Sequence, residues 1–323
     1  MAKVTVISIF YNREESVERS VSSLLLQDYQ DLKIILVDDG SSDGTLDALR
    51  SAADERCEVR TGANLGFTNQ LCRTIATSSS EYVAIHGAGD VSKSMRITKQ
   101  VDALDADGNL GMVGCYVRDW GPGEMGYVDL KSVVPANATQ KLVDRNFFTH
   151  GEVMFRRSAY EEVGGYRPFF RFAQDRDLWC RLSRVSNLGN CKEVLYERFA
   201  QANSVSSSPR KSLGQWMFSD FAAYCHATCL SGFEDPLDRI GPAALLLRPP
   251  SAALIRRLSD RAAGLAKSGD RAGAEEYLRL LQGYAGRYSL TGMSTEFRVR
   301  FPVFGKLKSK LSRSGQQVAA GNC

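Results

Sequence analysis

Apolar and polar positions alternate between two periods along roughly the first two hundred residues. Val4–Phe10 is a short run of strand type, and residues 14–27 carry Val17, Val21, Leu24 and Leu25 at helical spacing. Residues 32–37 form a continuous apolar run of buried-strand type that ends in the polar turn Asp38-Asp39-Gly40-Ser41-Ser42-Asp43-Gly44. Residues 45–53 predict a helix with Asp43 placed to cap it. A short strand over 57–60, a helix over 67–77 and a strand over 82–86 follow, the last closing on Gly87-Ala88-Gly89-Asp90. Residues 95–104 again predict a helix. Strands separated by helices of this length imply right-handed crossovers and a mainly parallel sheet. Ligands gather at the carboxyl ends of such strands. The two most polar, glycine-rich turns of this half lie at such ends, after Val37 and after His86.

Between residues 111 and 155 the pattern changes to strands and turns, with Gly121-Pro122-Gly123 as a break. Short helical segments over 158–163 and 175–185 flank Gly164-Gly165-Tyr166, and residues 190–196 predict a last strand. Beyond Ser204 the chain reads as helical and increasingly basic, with residues 204–209 as a boundary. The expected organisation is a catalytic domain over 1–208 and a helical extension with a basic tail over 209–323.

Composition narrows the class without naming a chemistry. The 323 residues are 43% hydrophobic and 24% charged, as in a globular protein, and the net charge of +4 is mild. That balance fits phosphorylated ligands or an anionic surface, and the first two hundred residues carry no footprint of a nucleic-acid binder. No stretch approaches the roughly 18 apolar residues of a membrane span, and the first apolar run is too short for a signal peptide. Eight cysteines at irregular spacing form no Cys-x-x-Cys pair, which predicts a reducing, cytoplasmic setting.

The chemistry begins at the turn after Val37. Carboxylates at a strand end can accept hydrogen bonds from base N–H groups or ribose hydroxyls, and glycines allow the tight turn beneath them. A polar loop with an Asp cap reads the same way, and the turn alone favours neither.

The ordered series of motifs decides between them. Val4-Thr5-Val6-Ile7-Ser8-Ile9-Phe10-Tyr11-Asn12, then Ser22-Ser23-Leu24 with Gln27, then the run from Val37 to Thr45 resemble the inverting family-2 glycosyltransferases of GT-A fold. The series continues through Asn64-Leu65-Gly66, Glu81-Tyr82-Val83-Ala84, residues 150–157, Gly164-Gly165-Tyr166 and Gln174-Asp175-Arg176-Asp177-Leu178-Trp179 with Arg181-Leu182. The likeness runs from about residue 4 to about residue 208. It implies an α/β, Rossmann-like GT-A fold with a mixed, mainly parallel sheet flanked by helices, and a C-terminal helical extension.

The resemblance also implies roles. Asp39, with Asp38 behind it, would contact the nucleotide base, with Tyr11, Asn12 and Asn64 in the same donor site. Asp175 falls where the family carries its catalytic base, although a helix N-cap is the plainer role for that position. His150, Gln174, Arg156 and Arg157 are candidate contacts to the diphosphate or acceptor. The implied partners are a nucleotide-diphosphate sugar, UDP-linked by expectation, and a hydroxyl on a glycan or lipid-linked acceptor. A catalytically weak sugar-nucleotide or glycan-binding module on the same fold is the alternative.

One departure concerns the implied cofactor, a divalent cation such as Mg²⁺ or Mn²⁺. The family pattern after the fourth strand is Asp-x-Asp-Asp, whereas Gly87 and Gly89 stand at the first two acidic positions and only Asp90 remains. One carboxylate with phosphates and water can still hold Mg²⁺, here with His86 as a candidate helper. Alternatively glycine N–H groups and a basic side chain such as Arg156 or Arg157 replace the cation, or catalysis has been lost. In the extension, 252–265 and 271–284 read as amphipathic helices. Residues 298–311 mix basic and apolar side chains, as in a solvated tail or a peripheral contact with the inner face of a membrane.

Overall fold

Strand β1 (Val4–Phe10) is buried at every position, as expected of a central strand covered on both faces. It pairs in parallel with β2 (Leu32–Asp38) and with β4 (Tyr82–Gly87), and β3 (Cys57–Thr61) extends the parallel array beyond β2. The structure, a computed structural model, describes residues 2–121, 126–200, 209–286 and 289–300. Helices α1 (Glu14–Leu25), α2 (Thr45–Ala52) and α3 (Phe67–Ala76) form the crossovers. A two-residue strand, β5 (Val91–Ser92), leads into α4 (Arg96–Ala106).

Pairing directions then diversify. The remaining strands are β6 (Leu110–Trp120), β7 (Tyr127–Leu130), β8 (Met154–Arg156) and β9 (Asn187–Phe199). β8 runs antiparallel to both β4 and β6, whereas β6 and β9 are parallel. The order is β3-β2-β1-β4-β8-β6-β9-β5, with β7 paired to β6. The sheet is mixed, parallel through its first four positions and interleaved beyond them. Three short helices complete this half: α5 (Ala138–Lys141), inside a stretch whose pattern predicts strands and turns, α6 (Arg157–Glu162) and α7 (Gln174–Leu182).

Alternate residues of each central strand serve opposite faces. Val4, Val6, Ile34 and Leu36 pack beneath Val17, Val21 and Leu24 of α1 and Ile97 and Val101 of α4. Ile7, Ile9, Ile35 and Val37 pack beneath Leu71 and Ile75 of α3 and Leu178, Trp179 and Leu182 of α7. Each such fully buried aliphatic side chain contributes about 1.5–3 kcal/mol. Helix α7 is further fixed by Asp177, only 2% exposed, which accepts from the Arg181 Nη2 at 2.6 Å and from the Arg167 Nε at 3.1 Å. Removing one partner of such a buried ion pair costs about 3–5 kcal/mol, so the backbone of α7 is held firmly in place.

The described residues divide into two compact units, one drawn from Met1–Ser204 and Phe221–Pro242 and the other from Val205–Asp220 and Ala243–Cys323. Helix α8 (Pro209–Leu230) contributes to both. Phe221 stacks on Phe170 within the first unit at 5.9 Å between ring centres, and His226 lies 2.8 Å from the Thr139 carbonyl oxygen. Two short helices follow, α9 (Pro236–Ile240) and α10 (Ala243–Leu247). In the second unit, α11 (Ala252–Ser268), α12 (Arg271–Ala285) and α13 (Leu290–Arg300) enclose Leu254, Leu258, Ala262, Leu278, Leu281 and Val299. Ser251 caps α11 by accepting from Leu254 N, and Asp270 caps α12 by accepting from Gly273 N. The basic stretch from residue 301 onward and the boundary at 204–208 lie outside the described residues. Within the described residues, no helix is long and apolar enough to cross a membrane.

Candidate active site

Strand register brings the first loops together. Phe10 pairs with Asp38 and Ile9 with Gly87, so the carboxyl ends of β1, β2 and β4 lie side by side. Asn12, at a left-handed φ of 51°, follows β1 directly. Its Oδ1 accepts from Ser42 N at 2.9 Å, while its own N–H donates to the Ser41 Oγ at 2.9 Å. Tyr11 stands beside it, half exposed.

Asp38 and Asp39 are both buried, and their oxygens do different work. Asp38 accepts from Ser41 N and from the Thr61 hydroxyl, closing the turn on β3. Asp39 Oδ1 accepts from Leu65 N at 2.8 Å and the Gln70 Nε2 at 2.7 Å, and Oδ2 accepts from Gly66 N at 3.0 Å. A carboxylate offers about four acceptor positions, so these contacts leave Asp39 about one for a ligand. They also satisfy backbone N–H groups at the start of α3. Asn64 is exposed in the loop just before them. A cavity of about 430 Å³, lined by Val37, Thr61, Gln70, Arg73 and Thr74 among others, adjoins the pair.

Helix α3 links this corner to α7. The Thr68 hydroxyl donates to the Phe170 carbonyl at 3.2 Å, and the Phe67 ring meets the His150 ring edge-on at 5.2 Å. His150 Nε2 lies 2.7 Å from the Tyr166 hydroxyl, and its ring also packs near Trp179. Burial pushes this imidazole down in pKa, against an opposing pull from Asp175. Asp175 itself lies in the first turn of α7, half-buried, where Oδ2 accepts from the Asn146 Nδ2 at 3.3 Å. Gln174 opens the helix, and the residue before it, Ala173, has a left-handed φ of 54°. Among the described residues only Asn12 and Ala173 combine positive φ with a side chain. Such backbone strain costs on the order of 1–3 kcal/mol and clusters at functional sites; here it falls at both flanks of the candidate site.

Two sets of sequence candidates lie in surroundings unlike those expected of them. Arg156 pairs with Tyr82, at the amino end of β4, because β8 runs antiparallel to it. Five residues of strand, roughly 16 Å, separate that position from Gly87. Arg156 donates to the carbonyls of Leu110, Leu104 and Asp107, and Arg157 to the carbonyls of Ser80 and Ile75. Both arginines therefore brace the far end of the sheet and are not placed to meet a diphosphate at the carboxyl ends. A second cavity, of about 450 Å³, lies at that far end with Arg156, Asn109 and Ser186 in its lining, away from both candidate carboxylates.

The turn after β4 is also unlike a cation cradle. Asp90 is 8% exposed; its Oδ2 accepts from the Tyr196 hydroxyl at 2.8 Å and its Oδ1 from Phe199 N at 3.1 Å. Burial pushes its carboxyl up to about 6. His86 is fully buried with Nε2 3.0 Å from the Ser20 Oγ, and burial beside Arg96 lowers it to about 3, which keeps it neutral. Among the described residues no three His, Cys, Asp or Glu side chains group to hold a metal ion. The donor set at this turn does not fit a carboxylate-bound divalent cation. Gln70, Asn146, Arg19 and Tyr196 join the site region without having been singled out in the sequence, where Ser41 and Ser42 were read only as part of the turn. Gln70, on the inner face of a predicted helix close after Asn64-Leu65-Gly66, was the most accessible of these.

Comparison with known proteins identifies the fold and the family. The sequence profile described as Glycosyl transferase family 2 matches residues 5–164. The Bacillus subtilis protein EpsE, named for a glycosyltransferase, is 31% identical over 203 residues, covering 60% of this chain and 72% of that one. A Haemophilus influenzae chain also named as a glycosyltransferase is 28% identical over 217 residues, covering 63% and 67%. Among solved structures, the mannosyltransferase PcManGT from Pyrobaculum calidifontis, in complex with GDP-Man and Mn²⁺, superposes with a TM-score of 0.55 at 19% identity, over 93% of this chain and 88% of that one. The S. aureus protein TarS, residues 1–349 in complex with UDP-GlcNAc, gives 0.54 at 13% identity, over 87% and 90%. The mixed sheet with its flanking helices is a GT-A fold, and the chain belongs to glycosyl transferase family 2.

Proposed function

We propose that this glycosyltransferase takes a nucleotide-diphosphate sugar, UDP-linked by expectation, and transfers its sugar with inversion to a hydroxyl of a glycan or lipid-linked acceptor. The observation that carries the reading is that the start of α3 touches both corners, Asp39 directly and His150 through Phe67. The start of α3 is held by Asp39, and its Phe67 packs on the His150 that lies in the field of Asp175. In this reading the donor corner takes Tyr11, Asn12, Asp38, Asp39 and Asn64, and the acceptor corner takes His150, Gln174 and Asp175.

In this reading the acceptor hydroxyl gives its proton to the Asp175 carboxylate as its oxygen attacks the anomeric carbon. The C–O bond to the leaving diphosphate breaks on the opposite face, which inverts the configuration. The Asn146 amide donates to one Asp175 oxygen and leaves the other to meet the hydroxyl. Negative charge grows on the diphosphate and needs donors already in place. The test is transfer by Asp175→Asn with the donor identified from a sugar-nucleotide panel. Turnover is expected to fall by about 10²–10⁴-fold, with donor affinity nearly unchanged. Full turnover in the variant would remove Asp175 from the role of base, and donor binding without turnover in the wild type would leave a binding module.

A further inference from the structure

We infer, resting on the transferase reading above, that Trp120 and Tyr127 form a stacking subsite for a pyranose ring of the acceptor. The acceptor is then a saccharide that extends beyond the sugar receiving the new linkage.

Strand register carries one part of the sheet past the rest. Met154 of β8 pairs with Ala84 of β4 on one side and with Val113 of β6 on the other. Because β8 is antiparallel to both, β4 and β6 point the same way. Gly87, the last residue of β4, is therefore level with Tyr116, and β6 continues for four more residues, to Trp120. That is roughly 13 Å of strand. β9 accompanies it to Phe199, and β7 flanks it from Tyr127. These strand ends rise beyond the turn after β4, at the end of the sheet that carries the candidate site. They stand on the opposite side of β4 from the β2 end that carries Asp39.

The last row of this extension is aromatic. Tyr127 pairs with Trp120 and Trp120 with Phe199, so rings from three strands stand side by side. Trp120 stacks on Phe199 with 5.9 Å between ring centres and 8° between planes, and it meets Tyr127 at 5.1 Å. Each ring is pinned. The Trp120 indole N–H donates to Glu197 at 3.3 Å, the Arg118 guanidinium lies 4.1 Å over Tyr127, and the Arg19 guanidinium lies 3.9 Å over Phe199. Phe199 backs the row and, through its N–H on Asp90, ties it to the turn after β4. Trp120 is half-buried, and Tyr127 is 52% exposed.

Large apolar side chains left exposed in one cluster mark a binding surface, and rings already held in place lose little freedom when covered. A pyranose matches this surface. Its ring C–H groups form an apolar face that sits on the electron-rich face of an aromatic ring, and its hydroxyls need polar partners at the edge. The neighbouring row supplies them: Arg118 donates from Nε to Asp129 at 2.9 Å, both side chains are partly exposed, and a carboxylate accepts more than one hydrogen bond. A hydrocarbon chain fits poorly, because it would desolvate the Arg118–Asp129 and Arg198–Asp119 ion pairs that flank the rings.

Calorimetric titration of the full chain with linear tetrasaccharides of glucose, of galactose and of N-acetylglucosamine tests this. Octanol serves as the apolar control, and UDP and GDP probe the donor side. Wild type, Trp120→Ala, Trp120→Phe and Tyr127→Ala are compared. At least one tetrasaccharide is expected to bind the wild type at millimolar concentration or below. Trp120→Ala is expected to weaken it by about tenfold, the loss of one stacked ring, while Trp120→Phe, which keeps a ring, stays within about threefold. Tyr127→Ala should lose about fivefold; its exposed position keeps the test open if Trp120→Ala fails to fold. Nucleotide affinity should stay within about twofold throughout, as for separate sites. No tetrasaccharide binding to the wild type, or binding untouched by both alanine variants, overturns the subsite. Octanol bound as tightly through the same rings also overturns it, as does a nucleotide loss equal to the saccharide loss. Ring-dependent tetrasaccharide binding by a chain that takes neither UDP nor GDP overturns the donor reading and, with it, the assignment of that saccharide as acceptor.

Discussion

The turns after β2 and β4 look alike in sequence and are built in opposite ways. Both are glycine-rich, both end a buried parallel strand, and both bury an aspartate. Asp39 spends its oxygens on the loop and helix just downstream, Leu65, Gly66 and Gln70, and so shapes the corner where a nucleotide would sit. Asp90 spends its oxygens on a strand more than a hundred residues away, through Tyr196 and Phe199, and so closes its turn. On the proposed reading, a carboxylate at a strand end is a recognition element or a brace according to which donors face it, and only the fold decides which.

Substitutions should separate the two turns, and the largest effect is expected at Asp39. Asp39→Ala leaves three donors without their acceptor, a loss of at least about 3 kcal/mol in urea unfolding, together with loss of donor binding. A loss below about 1 kcal/mol would mean that water replaces the carboxylate and that the α3 terminus is not held by it. Asp90→Ala leaves two donors, Tyr196 OH and Phe199 N, and should lower stability by about 2 kcal/mol. Equal effects at both sites would erase the distinction drawn here.

The glycines sharpen the same contrast. At Gly40, φ is 71° and an added Cβ would meet the backbone N of Asn64 at 2.8 Å, whereas at Gly87 the obstacle is the Asp90 side chain. Backbone yields less readily than a side chain, so Gly40→Ala should cost more than Gly87→Ala within a range of about 1–3 kcal/mol. The reverse order in melting temperatures would show that the brace at Gly87 is the stiffer element.

The smallest expected effect is in pH dependence. The Asp90 carboxyl is raised to about 6 from an ordinary 3.8. The folded state therefore holds its proton more tightly than the unfolded chain does, and this group's contribution to stability falls as pH rises from about 4 to about 6. Replacing it by Asn removes that falling contribution. Stability of Asp90→Asn should rise more steeply with pH over this window than that of the wild type, and identical slopes would show that Asp90 titrates normally.

Much of this architecture was legible because it is local. The period of apolar residues located β1 to β4 and α1 to α4 within a few residues, and the ordered motifs carried the family. What was illegible depended on direction and distance. Arg156 and Arg157 follow a matched motif, but their end of the sheet is decided by β8 running antiparallel to β4, and three strand residues carry no sign of direction. Tyr196 read only as a strand residue, since nothing local shows its hydroxyl aimed at a carboxylate 106 positions earlier. Asn146 preceded the first matched residue of its motif, and its contact with Asp175 spans 29 positions. Residues 221–242 were grouped with the helical extension, while Phe221, His226 and Asp235 make their contacts in the first unit.

The central proposal is that a nucleotide-diphosphate sugar binds between the Asp39 corner and the start of α7. Amide hydrogen exchange with and without a saturating donor tests it most directly. The account predicts added protection within residues 39–44, 64–70 and 174–177, with none at the opposite end of the sheet. Protection confined to residues 108–111 and 183–187, around the cavity that includes Arg156, would contradict it.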